Sequence, residues 1–236
     1  MKEILLPHYE ERNTDIDMLI YHCSVCSPEQ MIKVLDEEKL SAHYIVDTKG
    51  NIIQLVEDEK KAWHAGMSYW RGRKNLNTYS IGIELCSPSF GQGEYTNKQI
   101  GSLIELSKEL INKYNIPASN ILGHSDIAPT RKPDPGISFP WKKLAENGIG
   151  LWFDIGDSQK VEENNIEKLL GEIGYETVDL AATSYAFCRH FIPQEVSVNQ
   201  NYKELAENPY DKSFKLNEKY LNILKACNFI YKNIDK

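Results

Sequence analysis

Three side chains of types that bind zinc lie at or just beyond the ends of predicted strands. His22 is near the end of the apolar run 17–23, while His124 and Asp134 lie in the segment 121–136, which leaves a short strand at a glycine and is then broken by prolines. Two imidazoles and one carboxylate are typical of a catalytic zinc site, in which the fourth position is left to water. Structural zinc sites usually have four ligands and are rich in cysteine. The sequence therefore predicts one catalytic zinc site.

Two more residues could complete hydrolytic chemistry at such a site. Glu84 is an acid inside the strand-like run 80–86, and it is the candidate to accept the proton of the attacking water. Lys132, two residues before Asp134, is the candidate to stabilise the oxyanion that forms when water attacks a carbonyl. Taken alone, His22 would be interpreted as a core histidine and Glu84 as an acid on a solvated face. The five residues together favour the hydrolytic interpretation.

The predicted elements bring these residues to one edge of a sheet. A helix is predicted to begin at Ser27, because Pro28 and Gln30 complete a capping box after the first strand. His22 then lies at the carboxyl end of a buried strand, the edge at which open α/β sheets bind ligands. Runs 42–47 and 51–56 predict a β-hairpin, and Thr96 caps a long amphipathic helix.

The chain changes character after about residue 156, where three amphipathic helical patterns follow and no strand pattern is clear. We therefore predict a catalytic domain over 1–155 and a helical module over 160–236. Between the hairpin and the strand 80–86, the loop 62–73 is rich in aromatic residues and has no helical or strand period. Trp63, His64 and Arg71 in this loop are candidates for the wall of a binding cleft; the alternative is a loop that packs its aromatic rings inward.

Composition excludes several classes of partner. The net charge of −7 and the pI near 5.5 argue against nucleic acid and anionic membrane surfaces. No apolar run approaches the roughly 20 residues that span a bilayer, and no signal-peptide core is evident. Five cysteines are an odd number in a chain of ordinary size, so free thiols in a reducing compartment are expected. These features favour a cytoplasmic protein.

Several motifs resemble the zinc-dependent N-acetylmuramoyl-L-alanine amidases of the type 2 (AmpD/AmiD-like) family, which is related to peptidoglycan recognition protein domains. The motifs are Ile20-Tyr-His22, Ala42-His-Tyr44, Ala62-Trp-His-Ala-Gly66, Trp70-Arg-Gly-Arg73, Ser80-Ile-Gly-Ile-Glu84, Gly123-His-Ser-Asp-Ile-Ala-Pro129 and Lys132-Pro-Asp-Pro-Gly136. The resemblance covers about residues 17 to 152 in order. It implies an α/β fold with a mixed central sheet flanked by helices, followed by a small helical domain that resembles a peptidoglycan-binding module.

The same resemblance implies a reaction and a role for each candidate residue. The substrate would be peptidoglycan or an anhydro-muropeptide, cleaved between muramic acid and the first L-alanine. Zn²⁺ would be bound by His22, His124 and Asp134, with Glu84 as the acid/base and Lys132 beside the oxyanion. The substrate-binding residues would be Tyr44, Trp63, His64, Arg71 and Cys23. At the position of Cys23, a polar residue is more usual in this family.

Two other functions remain open at this stage. A thiol hydrolase could use Cys23 or Cys86 with a histidine, and Cys23 also begins a C-x-x-C pair before the first helix. A non-catalytic peptidoglycan-binding protein could have the same fold. The AmiD-like branch that the tail resembles also leaves a periplasmic location open.

Overall fold

The computed structural model describes residues 1–199 and 201–234, with a six-stranded sheet at its centre. The strands are β1 (Lys2–Glu3), β2 (Tyr9–Glu11), β3 (Met18–Ser24), β4 (Tyr44–Val46), β5 (Ile52–Gln54), β6 (Lys60–Ala62), β7 (Tyr69–Trp70), β8 (Arg73–Lys74), β9 (Ser80–Cys86) and β10 (Ile121–Gly123). The main sheet has the order β1-β5-β4-β9-β3-β10, and β2 pairs with β6 and β7 with β8 in two small ribbons. Only the β4–β5 pair of the main sheet is antiparallel. The predicted mixed sheet is confirmed.

Helices flank this sheet. They are α1 (Pro28–Glu37), α2 (Asn97–Tyr114), α3 (His124–Ile127), α4 (Trp141–Glu146), α5 (Ile166–Ile173), α6 (Leu180–Phe191), α7 (Tyr202–Glu207) and α8 (Leu221–Asn233). The capping box predicted at Ser27 is present, since its hydroxyl accepts from the Gln30 amide and the Gln30 side chain accepts from the Ser27 amide. The Thr96 hydroxyl caps α2 by accepting the Gln99 amide, whereas the Gln99 side chain donates to the Val46 and Cys86 carbonyls. No helix among the described residues is both long and apolar enough to cross a bilayer.

The two faces of the sheet are covered by different parts of the chain. On one face, α2 packs its apolar side against β3 and β9. On the other, a single buried cluster joins the sheet to the C-terminal helices; it includes Met18, Ile20, Leu122, Leu169, Phe187 and Tyr231. The C-terminal helices therefore bury sheet residues that would otherwise meet water. The division of the chain at about residues 155–160 stays a prediction.

The aromatic loop differs from its prediction in one respect. Residues 69–74 form the β7–β8 ribbon, whose two-residue strands are too short to produce a period in the sequence. Trp70 is fully buried, and its ring lies edge-on to Tyr175 and Tyr231 with centroids 5.0 and 6.2 Å away. This end of the loop packs against the C-terminal helices.

Candidate active site

His22, His124 and Asp134 form one buried cluster at the carboxyl edge of the sheet. The two Nδ1 atoms are 2.9 Å apart, and Asp134 Oδ2 is 3.0 Å from His124 Nδ1 and 3.4 Å from His22 Nδ1. Among the described residues, this is the group of histidine, cysteine and acid side chains whose donor atoms could hold a metal ion, all within 4.8 Å of one another. Two nitrogens and a carboxylate oxygen that converge in a buried space suit a divalent cation.

Burial and mutual charge set the protonation of this cluster. Burial is the main reason that the pKa of His22 is lowered to about 4, and the neighbouring His124 lowers it further. Burial alone would raise the pKa of Asp134, but the neighbouring His124 and His22 hold it well below its usual value. A neutral imidazole and an ionised carboxylate are the forms that bind metal.

The segment that carries two of these ligands is short and irregular, and local hydrogen bonds hold it. α3 is a single turn after β10, and the Ser125 amide donates to the Asp134 carbonyl at 2.8 Å. Asp126 Oδ2 accepts the Gly123 amide at 2.8 Å. A side chain at Gly123 would lie 2.7 Å from the Pro135 ring, so the two arms of the loop pack directly against each other. His124 and Asp134 are thereby held close although ten residues separate them.

A chain of hydrogen bonds fixes the tautomer of His22. The Ser80 hydroxyl donates to the Leu76 carbonyl at 2.7 Å, so it accepts from His64 Nε2 at 3.2 Å. His64 Nδ1 is then an acceptor for the proton on His22 Nε2, 2.9 Å away. This leaves the Nδ1 lone pair of His22 directed at the cluster, as a metal ligand requires. Burial, with the charges of His22 and His43, holds the pKa of His64 well below its usual value, which keeps it neutral.

Glu84 lies beside the cluster because the parallel register of β3 and β9 pairs its Cα with that of His22. Its Oε2 accepts the Ser24 hydroxyl at 3.1 Å. Burial, with the nearby charge of Asp134, raises the pKa of Glu84 to about 8, although Ser24 and Lys132 act in the opposite direction. An acid with a pKa near neutrality can both take up and release a proton at physiological pH.

An open cleft of about 430 Å³ contains the cluster, Glu84 and Lys132. Apolar side chains also line the cleft; they are Val34, Leu35, Leu40, Trp63 and Phe90. Arg131 and Lys132 line it as well, and the Lys132 amide is fixed by the Ala128 carbonyl at 3.0 Å. The Arg131 guanidinium donates to the carbonyls of Ala65 and Met67. These bonds connect the segment 124–134, which carries His124 and Asp134, to the aromatic loop 62–73.

The predicted substrate-binding residues divide between the cleft and other places. Trp63, His64 and Cys23 line the cleft, although both ring nitrogens of His64 are already bonded to His22 and Ser80. Tyr44 does not reach it, because the strand directs its side chain to the α2 face, where its hydroxyl donates to Asp58 at 2.5 Å. Arg71 has a positive φ of 48° and its guanidinium donates to Ser119 and to the Tyr231 carbonyl, at 3.0 and 2.6 Å.

The two cysteines that the sequence offered as nucleophiles, Cys23 and Cys86, are poorly suited to that role. Cys23 is buried, with its thiol directed at the Pro135 carbonyl at 3.5 Å. Burial, with the charge of Asp134, raises its pKa well above the usual value, and burial raises the pKa of Cys86 to about 12. Both thiols therefore stay protonated, whereas a thiol enzyme needs the thiolate.

Sequence reasoning missed three residues that act on the site, namely Ser24, Asp126 and Arg131. Asp126 carried a detectable signal, since an acid three residues after Gly123 can cap the turn that bears His124. The other two had none, because their partners are distant in sequence.

Comparison with known proteins gives a consistent result. The family model for N-acetylmuramoyl-L-alanine amidase matches residues 12–137. N-acetylmuramoyl-L-alanine amidase AmiD of Escherichia coli is 36% identical over 189 residues, which are 74% of this chain and 66% of that protein. 1,6-Anhydro-N-acetylmuramyl-L-alanine amidase AmpD of Enterobacter cloacae is 44% identical over 105 residues, which are 44% of this chain and 55% of that protein. The chain thus spans between about half and two thirds of the length of these two relatives.

Solved structures agree over a longer part of the chain. The complex of Escherichia coli AmiD with anhydro-N-acetylmuramic acid-L-Ala-D-gamma-Glu-L-Lys superposes with a TM-score of 0.76 at 28% identity, covering 96% of this chain and 94% of that one. AmpDh3 of Pseudomonas aeruginosa gives a TM-score of 0.76 at 30% identity, covering 90% and 91%. Both similarities extend beyond residues 12–137 into the C-terminal helices.

Proposed function

This chain belongs to the N-acetylmuramoyl-L-alanine amidase family, and on that premise we propose that it hydrolyses the amide bond between muramic acid and the first L-alanine of the stem peptide. The observation that carries the proposal is the convergence of His22, His124 and Asp134 in an open cleft beside Glu84. The substrate is an anhydro-muropeptide or peptidoglycan. Support for the first comes from the AmiD structure with anhydro-N-acetylmuramic acid-L-Ala-D-gamma-Glu-L-Lys and from an AmpDh3 structure with anhydromuramic pentapeptide.

The cofactor of this proposal is one Zn²⁺, held by His22, His124 and Asp134. The donor set fits, since two histidines and one carboxylate leave a position open for water. When bound, zinc lowers the pKa of water from 15.7 to about 7 and polarises carbonyl oxygens. The buried relay through His64 and Ser80 keeps the ligand nitrogen of His22 unprotonated.

Glu84 and Lys132 divide the remaining chemistry. Glu84 accepts a proton from the attacking water and returns it to the leaving amine, which its pKa of about 8 permits. Lys132 stabilises the negative charge that develops on the scissile carbonyl oxygen. Trp63, which also lines the cleft, offers an aromatic plane to the apolar face of the sugar.

The two alternatives from the sequence have less support. A thiol hydrolase would need the thiolate of Cys23 or Cys86, and both pKa values are raised. A non-catalytic binder would not need a carboxyl group with a near-neutral pKa beside a metal cluster. The odd number of cysteines in the sequence favours a reducing compartment, so we propose a cytoplasmic location.

The proposal is tested with soluble anhydro-muropeptide and with intact sacculi, the products being identified by mass spectrometry. We expect release of a peptide with an amino-terminal L-alanine, loss of turnover with a chelator, and recovery when Zn²⁺ is returned. His124→Ala should lose metal and turnover together, whereas His8→Ala, which removes a histidine paired with Asp36 outside the cleft, should retain both. Turnover by the metal-free protein would contradict the proposal.

A further inference from the structure

The carboxylate of Asp126 receives hydrogen bonds from both the catalytic core and the C-terminal helices. It is 1% exposed. From the core, the Gly123 amide donates to Oδ2 at 2.8 Å. From the C-terminal region, His190 Nδ1 on α6 donates to Oδ2 at 2.9 Å, and the hydroxyl of Tyr175, two residues after α5, donates to Oδ1 at 2.8 Å. Two of the three described donors to this buried carboxylate thus come from residues 49 and 64 positions later in the chain.

The two distant donors are held rigidly. The His190 ring lies between Trp141 and Phe191, with centroids 3.8 and 4.1 Å away and interplanar angles of 14° and 15°. Tyr175 is 3% exposed, and its ring lies edge-on to Trp70 at 5.0 Å. Neither donor can turn away without disrupting these ring contacts, so both define where the Asp126 carboxylate can lie.

The position of Asp126 bears directly on the metal cluster. Its Oδ2 atom fixes the amide of Gly123, the residue before His124. The backbone at Gly123 also packs against Pro135, the residue after Asp134. A displacement of the Asp126 carboxylate would therefore move both ligands that the loop supplies, whereas His22 is carried by β3.

We infer that Tyr175 and His190 are positioning residues for the metal site, so that the C-terminal helices take part in metal binding through Asp126. The inference rests on the metal site of the proposed function, but not on which amide is cleaved. Partners behind a metal ligand typically change metal affinity by about 10- to 100-fold. Since Tyr175 acts one step further away, we expect an effect of about three- to tenfold.

The test uses the full chain and measures metal rather than turnover. Zn²⁺ affinity is determined by competition with a chelator, and the visible spectrum of the Co²⁺-loaded protein reports ligand geometry. Tyr175→Phe removes only the hydroxyl and should weaken Zn²⁺ binding about three- to tenfold and shift the Co²⁺ bands. The matched control is Tyr210→Phe, which removes a hydroxyl bonded to Asp179 at 2.6 Å in the same helical region. It should leave affinity and spectrum unchanged.

A second pair of variants keeps the test decisive if Tyr175→Phe fails to fold. His190→Asn retains a donor near Nδ1 and should bind Zn²⁺ as the parent does, whereas His190→Leu removes the donor and should bind more weakly. Equal affinities and spectra for the parent and Tyr175→Phe, or for the two His190 variants, would overturn the inference. A protein that binds Zn²⁺ as expected but cleaves no muropeptide would instead count against the proposed function alone.

Discussion

The pKa of Glu84 is raised to about 8 because this carboxyl group is buried and lies near a second carboxylate, Asp134. The same environment makes Glu84 suitable for proton transfer, because it destabilises the ionised carboxylate when no cation is beside it. Glu84→Gln keeps the shape of the side chain and removes the titrating group. We expect it to retain metal and to lose about 10²–10⁴-fold in rate, the usual contribution of a general base. Near-normal turnover would show that Glu84 has no catalytic role.

The same substitution has a second readout in the metal-free protein. The pKa of Glu84 rises from 4.5 to about 8 on folding, so the folded state retains a proton that the unfolded state releases between these values. Raising the pH from about 4.5 to 8 therefore favours unfolding through this group, and the loss is complete above about pH 8. Denaturant unfolding of the chelated parent should show this decline relative to Glu84→Gln. Parallel pH profiles would contradict the raised pKa.

Residue types indicated the chemistry of the site, but they did not indicate where individual side chains point. His22, His124 and Glu84 could be grouped because each stands in or directly after a buried strand, and parallel strands end at one edge. Asp134 could be added because it lies in the proline-rich loop that follows His124. Arg71 could not be placed, because its direction depends on a left-handed backbone and on a partner carbonyl 160 residues away. Residue type alone did not show which faces of His64 would be covered by other side chains.

At the scale of elements, a contact between β9 and the aromatic loop 62–73 holds His64 in the position from which it orients the metal ligand His22. His64 lies over Gly82 of β9, where a Cβ atom would be 2.4 Å from the imidazole ring. Only glycine leaves room for this ring, which in turn accepts the proton of His22 Nε2. The glycine is thus required by the relay that orients a metal ligand.

Gly82→Ala should displace His64 and so weaken Zn²⁺ binding, by the roughly 10- to 100-fold typical of partners behind a ligand. Thermal unfolding should also occur at a lower temperature, because the strand backbone cannot move away from its neighbours. Gly101→Ala is the matched control, since a Cβ there meets nothing within 4 Å and lies in α2. That control should gain about 0.5–1 kcal/mol from helix propensity. Unchanged metal affinity in Gly82→Ala would contradict the relay.

Element boundaries with local signals could be predicted, and those set by tertiary packing could not. Ser27 and Thr96 begin helices through side-chain caps that the sequence shows directly. The β7–β8 ribbon has no such signal, because its two-residue strands are stabilised by packing of Trp70 against Tyr175 and Tyr231. The local bond of Asp126 to the Gly123 amide could be predicted, but its bonds to Tyr175 and His190 could not, because these partners are distant in sequence.

At the scale of the whole molecule, the C-terminal helices and the sheet share one buried cluster. Met18 and Ile20 of β3 and Leu122 of β10 are fully buried together with residues of α5, α6 and α8. Strands that are apolar on both faces indicate that each face is covered, but not which segment covers it. The sequence therefore predicted the helices and could not show that they complete the core.

Truncation after Ser158 tests how far the predicted domains are separate. A solved AmpD structure aligns with 62% of this chain and is itself 93% covered, so a core of that size exists in the family. In this chain, truncation would expose the β3 and β10 side chains and remove both distant donors to Asp126.

We expect the 1–158 fragment to unfold at lower denaturant concentration than the full chain and to bind Zn²⁺ at least tenfold more weakly, a loss in the range for partners behind a ligand. Circular dichroism and chelator competition measure the two effects. A fragment that folds and binds metal as the full chain does would support independent domains and contradict the shared core.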